Sequence, residues 1–525
     1  MATAAPMAND RKEIFGWAMY DWANSAFSTT VVSVFLGLYV NSLATAVAKA
    51  EFLARTGSEW TVEGGQSLVV NLLGLPIAPE ALIPFAISLS VVFQAGFLPI
   101  FGAIADYSHR RKQMLQLFAT IGAVATIGLF FVTLKAWLLG PILFIIANLS
   151  FGAALVFYNA YLPDIASEEE RDRVSSYGFA LGYLGGFVLL AMNLALYLLH
   201  ENLGLSESLS VRVNLASAGV WWLGFSVITW QRLRSRHAAH EIPQGENLFS
   251  IAFKQLSETM GASPRLIAFL LLSPLLIFIW APLITPFVNQ LITINQLDPE
   301  LALLPVFLPL FGPVVLLVIF LRNKARTMPE TSKYLTAYLI YNDGIQTVIS
   351  VASTFASAEV IRGGLELPQE TLIAVILIIQ FVAFFGALFW GKLAQWIGAK
   401  RAIFVSLVIW AGVVIYAYGG MKGDTRATEF MILGAIIALV LGGSQAISRS
   451  LFAQMIPKNK EAEFFSIYEI SERGTSWLGT LVFGIAVTIF GSLRPAIFSL
   501  IIFFVVGLIL LPFVNEKRAI EDAKQ

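Results

Sequence analysis

The sequence predicts an all-α, polytopic membrane protein, on three observations: little charge, apolar blocks long enough to cross a bilayer, and two halves that repeat one another. Of 525 residues, 57% are hydrophobic and 13% charged, about half the charged share of a soluble domain. A spanning helix needs about 20 apolar residues. Blocks of that order lie near 14–40, 82–105, 113–134, 137–161, 174–199 and 213–232, and again near 334–356, 370–391, 402–420, 429–453, 464–490 and 493–514. Between the sets, 266–294 and 301–321 are also apolar and long enough to span, which brings the expectation to about fourteen spans.

The organisation that follows is a six-helix bundle over 1–232, a linker with an extra transmembrane hairpin over 233–333, a second bundle over 334–514 and a charged tail over 515–525. The first block follows Arg11 and Lys12 but is too long for a signal-peptide core and carries Asp21 and Asn24, so it is expected to stay as a helix. Lys and Arg test the topology, because they concentrate on the cytoplasmic side. With the N-terminus inside, Arg110, Arg111, Lys112, Arg171, Arg173, Arg232, Arg234, Arg236, Arg322, Lys324, Arg326, Lys400, Arg401, Lys458, Lys460, Lys517 and Arg518 all fall inside. The opposite loops hold fewer, among them Lys49, Arg55, Lys135 and Arg212. Both ends are therefore expected in the cytoplasm, with a bacterial inner membrane as the expected location. The prolines at 274, 282, 286, 305, 309 and 313 leave a re-entrant form of the hairpin open.

Composition excludes several classes. The formal net charge is zero and there is no cysteine, so neither nucleic-acid binding nor thiolate chemistry is indicated. Four scattered His give no transition-metal site, no cofactor is expected, and no nucleophile or acid–base pair of recognisable spacing suggests an enzyme.

The halves align at three places. Asp21, Asn24, Ser25 and Ser28 match Asp343, Gln346, Thr347 and Ser350 at one offset. Gly102 to Asp106, followed by Arg110 to Lys112, matches Gly391 to Gln395 followed by Lys400 and Arg401. Leu162-Pro163 and Leu184-Gly185 match Ile456-Pro457 and Leu478-Gly479. Repeated bundles are the architecture of alternating-access transporters. Residues 41–81 have no counterpart and are expected to form a loop with few apolar runs.

Positions i, i+3, i+4 and i+7 share a helix face, so Asp21, Asn24, Ser25 and Ser28 form a polar stripe, as do their counterparts. A buried acid is costly in lipid and is expected to face the bundle interior, where it can bind a proton, a cation or an amine; the alternative is a carboxylate near the interface bonded to neighbouring backbone. Arg449, on one face with Gln445 and Ser448, has three open readings: an anchor for a substrate carboxylate, an ion-pair partner for Asp343, Glu469 or Glu472, or a snorkelling side chain. Tyr158, Asn159 and Asn342 are further candidates for the pathway. Gly102, Asp106, Arg110, Arg111 and Lys112 place a small residue, an acid and a basic loop where they can latch helices together. Gly182 and Gly186 form a packing pair.

Gly102 to Lys112, with its second copy at Gly391 to Arg401, resembles the loop signature of the major facilitator superfamily. Tyr20-Asp21-Trp22-Ala23-Asn24-Ser25-Ala26-Phe27 resembles the first-helix signature of its vacuole effluxer branch. Tyr158 to Asp164, Tyr341 to Gly344 and Gly443 to Ser450 point the same way. That branch includes yeast proteins that export amino acids from the vacuole after autophagy, and bacterial relatives of unassigned substrate. The resemblance implies a two-bundle fold and proton-linked transport of a small solute, with amino acids the leading cargo and a monomer the default state. Export of drug-like or lipid-like molecules, and a receptor or scaffold that does not transport, are the rival expectations. The extra hairpin is the departure, because twelve-helix members lack it.

Overall fold

The structure, a computed structural model, describes residues 9–60, 68–72, 75–77, 79, 82–107, 110–235, 248–276, 283, 284, 286, 312–458, 460–473 and 476–524. Six helices form the first half: α1 (Arg11–Thr56), α2 (Leu82–Tyr107), α3 (Arg111–Gly128), α4 (Leu139–Asn159), α5 (Arg171–Leu198) and α6 (Glu207–Arg232). α7 (Leu248–Met260), α8 (Pro264–Leu272) and α9 (Gly312–Thr327) lie between the halves. The second half holds α10 (Pro329–Ser357), α11 (Gln369–Ile397), α12 (Ala399–Gly419), α13 (Arg426–Gln454), α14 (Glu461–Arg473), α15 (Ser476–Phe490) and α16 (Leu493–Phe513). A short helix, α17 (Glu516–Lys524), ends the chain.

Among the described residues nine helices are long and apolar enough to cross a bilayer. α10 has the length, at 29 residues, but is more polar because it carries the stripe around Asp343. The count of about fourteen is thus not established, and most of the predicted hairpin at 266–294 and 301–321 lies outside the described residues.

One expectation needs correction. The predicted first span, 14–40, is part of a helix that runs on to Thr56 and terminates at Gly57 (φ 71°), so residues 41–56 are helix and not loop. Hydropathy marks where a helix leaves an apolar environment; it does not mark where the helix stops, and the stretch Leu43 to Arg55 contains no Gly or Pro to break it. In the rest of that predicted loop, β1 (Val70–Leu72) pairs antiparallel with β2 (Leu75–Ile77), a small exception to an all-helical chain. Within the charged tail, residues 516–524 form a helix that buries Ala519 and Ala523, four residues apart on one face.

Within the first half, α1 packs on α5 and α6, and α4 on α2 and α3. In the second, α13 packs on α11 and α12, and α10 on α15 and α16. Asn9 donates its backbone N–H to Ile165 O, and Lys524 pairs with Glu168 at 2.9 Å, so both described ends lie on one face, the terminal face. The halves meet where α5 packs on α11 and α13, and where α14 packs on α2 and α4. These contacts draw the site residues together.

Candidate functional site

α1 carries Asp21 into the seam between the halves, where it is 7% exposed. Tyr158, at the end of α4, donates its hydroxyl to Asp21 Oδ2 at 2.7 Å, and Trp17 stacks on the Tyr158 ring at 4.4 Å. Gly178 of α5 leaves room for this pair, since a Cβ there would sit 2.7 Å from Asp21 Oδ2.

Arg449 of α13 reaches this group from the other half. Its Nη1 donates to Asp21 Oδ2 at 3.4 Å and to Asn159 Oδ1 at 3.2 Å. Its Nε and Nη2 donate to the Ser175 hydroxyl and carbonyl oxygens at 2.9 and 2.8 Å. The guanidinium lies 4.2 Å from the Phe179 ring centroid and also faces Trp17. It is 3% exposed and reaches Asp21 of the first half. A guanidinium with this many partners, held against aromatic faces, binds the two halves as one unit. The Asn159 amide extends the connection, because its Nδ2 donates to Glu469 Oε1 of α14 at 2.7 Å.

Nearer the terminal face lies a second clasp. Asp106, at the end of α2, accepts the backbone N–H groups of Ala462 and Glu463 at 3.0 and 2.8 Å, which caps the start of α14. Arg111 holds Asp106 at 2.8 Å, Asp164 at 3.0 Å and Glu461 of the other half at 3.3 Å. Gly102 is needed for this approach, because a Cβ there would stand 2.5 Å from Ala462 O. Of the remaining motif residues, Arg110 is exposed and Lys112 half-buried. Between the two clusters, Asp172 accepts the Ser450 hydroxyl at 2.5 Å and Ala446 O accepts the Ser175 hydroxyl at 2.7 Å. The terminal face is closed by all of these contacts.

Asp343 occupies the matching place on α10 in different company. It is 1% exposed, and no described side chain bonds either carboxylate oxygen, which faces the Gly479 backbone of α15; the Thr347 hydroxyl has no partner among the described residues. Both face Gly479 of α15, where a Cβ would lie 2.1 Å from Thr347 Oγ1. Asn342 is buried, Gln346 is half-buried, and Gln445 accepts the Tyr183 hydroxyl across the seam at 3.0 Å. Asn24 is buried beside Asp21, and the Ser25 carbonyl accepts the Ser28 hydroxyl at 3.1 Å and that of Thr29, within a π-helical stretch from Phe27 to Phe35.

Sequence reasoning missed the cradle of Arg449. Ser175, Phe179 and Trp17 carry no charge and stand out in no apolar helix. Asp164 closes the Tyr158 to Asp164 motif and Glu461 opens α14, but nothing in the sequence marked either as a partner of Arg111. Among the described residues no group of three or more His, Cys, Asp and Glu could hold a metal ion.

The architecture has solved counterparts. The human organic anion transporter MFSD10 matches at a TM-score of 0.58 with 12% identity, over 96% of this chain and all of its own. The proton:xylose symporter XylE matches at 0.57 with 11% identity, over 96% and 94%. At such low identity the likeness defines the fold, that of the major facilitator superfamily. The chain belongs to the family described as "Vacuole effluxer Atg22 like", matched over residues 9–281 and 307–524. Much of the predicted hairpin is thus inside the family match, and 282–306 alone is left out between its two parts; this corrects the view that the whole hairpin departs from the family. The MFS-type transporter YxiO of Bacillus subtilis (strain 168) is 27% identical over 516 residues, covering 98% of this chain and 97% of its own. Autophagy-related protein 22-1 of Penicillium rubens is 24% identical over 605 residues, covering 98% and 91%. The chain is therefore a multi-pass membrane transporter of the major facilitator superfamily.

Proposed function

We propose that this transporter moves a small solute, amino acids first among the candidates, by alternating access coupled to protons, with both chain ends in the cytoplasm. The observation that carries the reading is Asp343. A carboxylate buried on α10 with no described side chain bonded to it is costly to keep, and such groups mark ion and substrate paths. A proton, or the ammonium group of a substrate, would satisfy it. Thr347 and Gln346 on the same helix offer polar atoms beside it.

Arg449 and the Asp106 clasp serve a different purpose in this scheme. The Arg449 guanidinium is taken up by Asp21, Asn159 and Ser175, so in this state it holds the terminal face shut and does not wait for a substrate carboxylate. With both ends cytoplasmic, as the distribution of Lys and Arg supports, the state described is closed to the cytoplasm. The described parts of the linker segment support a small polar cargo over a lipid-like one. α7 and α8 pack on α2, and α9 packs on α10 with Phe320 against Phe464 of α14, so they cover the α2–α14 seam through which a lipid would enter.

The test is counterflow in proteoliposomes with a panel of labelled amino acids, with and without a pH gradient. Accumulation that depends on the gradient is expected for at least one of them. Failure to move any amino acid would remove the cargo assignment, and uptake indifferent to the gradient would remove the coupling.

A further inference from the structure

We infer that Gln380 of α11 lines the solute path and offers its amide oxygen to an N–H or O–H donor of the cargo. The inference rests on the reading above and deepens it, because it gives a small polar solute a contact apart from Asp343. From Leu372 to Gly391, Gln380 is the only side chain that carries an amide, a hydroxyl or a charge, and it falls close to the middle of that apolar run. It shares a helix face with Ala387 and Gly391, seven and eleven residues on. A Cβ on Gly391 would meet the Ser176 hydroxyl of α5, so this face is turned to the first half. There Gln380 Nε2 comes to 3.6 Å from where a Cβ of Gly186 would stand, and the same Cβ would be 2.5 Å from Thr29 Oγ1 of α1. The amide thus lies where α1, α5 and α11 converge. Along α5 this is about two turns beyond Phe179 and the Arg449 cluster, on the side away from the terminal face.

Gln380 Oε1 is buried and bonds to no described residue. An amide oxygen left unpaired at mid-span is costly, and an apolar side chain of the same length would pack the seam without that cost. The neighbouring hydroxyl does not relieve it, because Thr29 donates to Ser25 O. The free group is therefore an acceptor, and it calls for a donor such as an ammonium, an amide or a hydroxyl. The facing wall is irregular as well. Thr29 is 1% exposed and sits in the π-helical stretch from Phe27 to Phe35, and such stretches are frequent at functional sites. The repeat supplies a comparison. At the offset that aligns Gly102 with Gly391, Gln380 corresponds to Val91; at the offset that aligns Asp21 with Asp343, Thr29 corresponds to Val351. A polar group required by the fold would recur in both halves, and this one is confined to a single seam. Midplane positions between repeats are where transporters of this architecture hold their solutes.

The test uses the absence of cysteine. Gln380→Cys introduces a sole thiol at the junction; Ala383→Cys and Phe381→Cys, in separate proteins, place one at a fully buried and at a 45% exposed neighbour on the same helix. The rate of modification by trimethylammonioethyl methanethiosulfonate, a charged reagent that needs a hydrated thiolate, is measured in lipid nanodiscs at pH 8. Gln380→Cys should react about tenfold faster than either neighbour, since a thiol packed against apolar groups stays protonated and inert. A rate no higher than that of Ala383→Cys would overturn the inference. A second variant guards against poor folding of the first. Gln380→Met removes no bond to a described residue, so it should melt no lower than the parent; a clearly lower thermal midpoint would show that the amide holds the seam together, and would overturn the inference by itself. The modification of Gln380→Cys is then repeated with each labelled amino acid of the counterflow panel present in excess, and at least one should slow it. Fast modification that no amino acid slows would sink the amino-acid assignment and leave Gln380 on the path.

Discussion

Asp21 and Asp343 sit at equivalent places in the two halves, and their surroundings could hardly differ more. Asp21 has a tyrosine hydroxyl and a guanidinium, and takes part in the contact that joins the halves. Asp343 has neither carboxylate oxygen bonded to a described side chain. A repeat supplies the same residue twice, but the partners decide whether it locks or works. A satisfied buried charge is expensive to disturb, whereas an unsatisfied one already bears its cost and is relieved by whatever binds it.

The largest effect should come from removing the cation of the satisfied site. Arg449→Ala strands the Asp21 carboxylate in the seam and should cost about 3–5 kcal/mol, read as a lower thermal midpoint of the purified protein. Arg449→Lys should recover little of it, because an ammonium cannot replace the fork that spans Asn159, Asp21 and Ser175. Normal stability in Arg449→Ala would show that the Asp21 contact carries no weight.

A smaller loss is expected where the two acidic helices meet glycine. Gly479→Val forces atoms into space that Thr347 fills, and overpacking of this kind costs about 1–3 kcal/mol. Because it presses on the unsatisfied site, it should also impair flux more than its loss of stability explains. Equal losses of folded protein and flux would mean that the neighbourhood of Asp343 is scaffold.

The mildest change concerns the terminal helix. Burial, with Asp172 nearby, pushes the Glu516 carboxyl above its usual range, and Lys400 opposes this. An acid whose docked value is raised favours docking as pH falls through that value and opposes it above. Glu516→Gln should therefore slow proteolysis of the tail at pH 8 by a few-fold and change little at pH 5. Faster cleavage in the variant would reverse the sign of that argument.

How much of this was legible beforehand follows from how each feature signals itself. The acidic stripes were visible because charge stands out in apolar blocks, and the Gly102 to Lys112 clasp because its spacing repeats. The partner of Arg449 was not: the sequence offered Asp343, Glu469 or Glu472 and the structure pairs it with Asp21, a choice that depends on which face of the transporter is closed, a property of conformation that no periodicity encodes. Its cradle of Ser175, Phe179 and Trp17 was silent for a simpler reason: a serine and two aromatics in membrane helices look like packing. The continuation of α1 to Thr56 was hidden because hydropathy ends at the edge of the apolar layer while the helix does not.

The account stands or falls on the contrast between stability and coupling at Asp343. Asp343→Asn removes a buried charge that bonds to no described side chain and keeps an oxygen for the Gly479 backbone, so the variant should melt no lower than the parent, and yet uptake driven by a pH gradient in proteoliposomes should fall to the level of empty vesicles. Gradient-driven uptake that survives the substitution, or a thermal midpoint that drops as far as in Arg449→Ala, would contradict it.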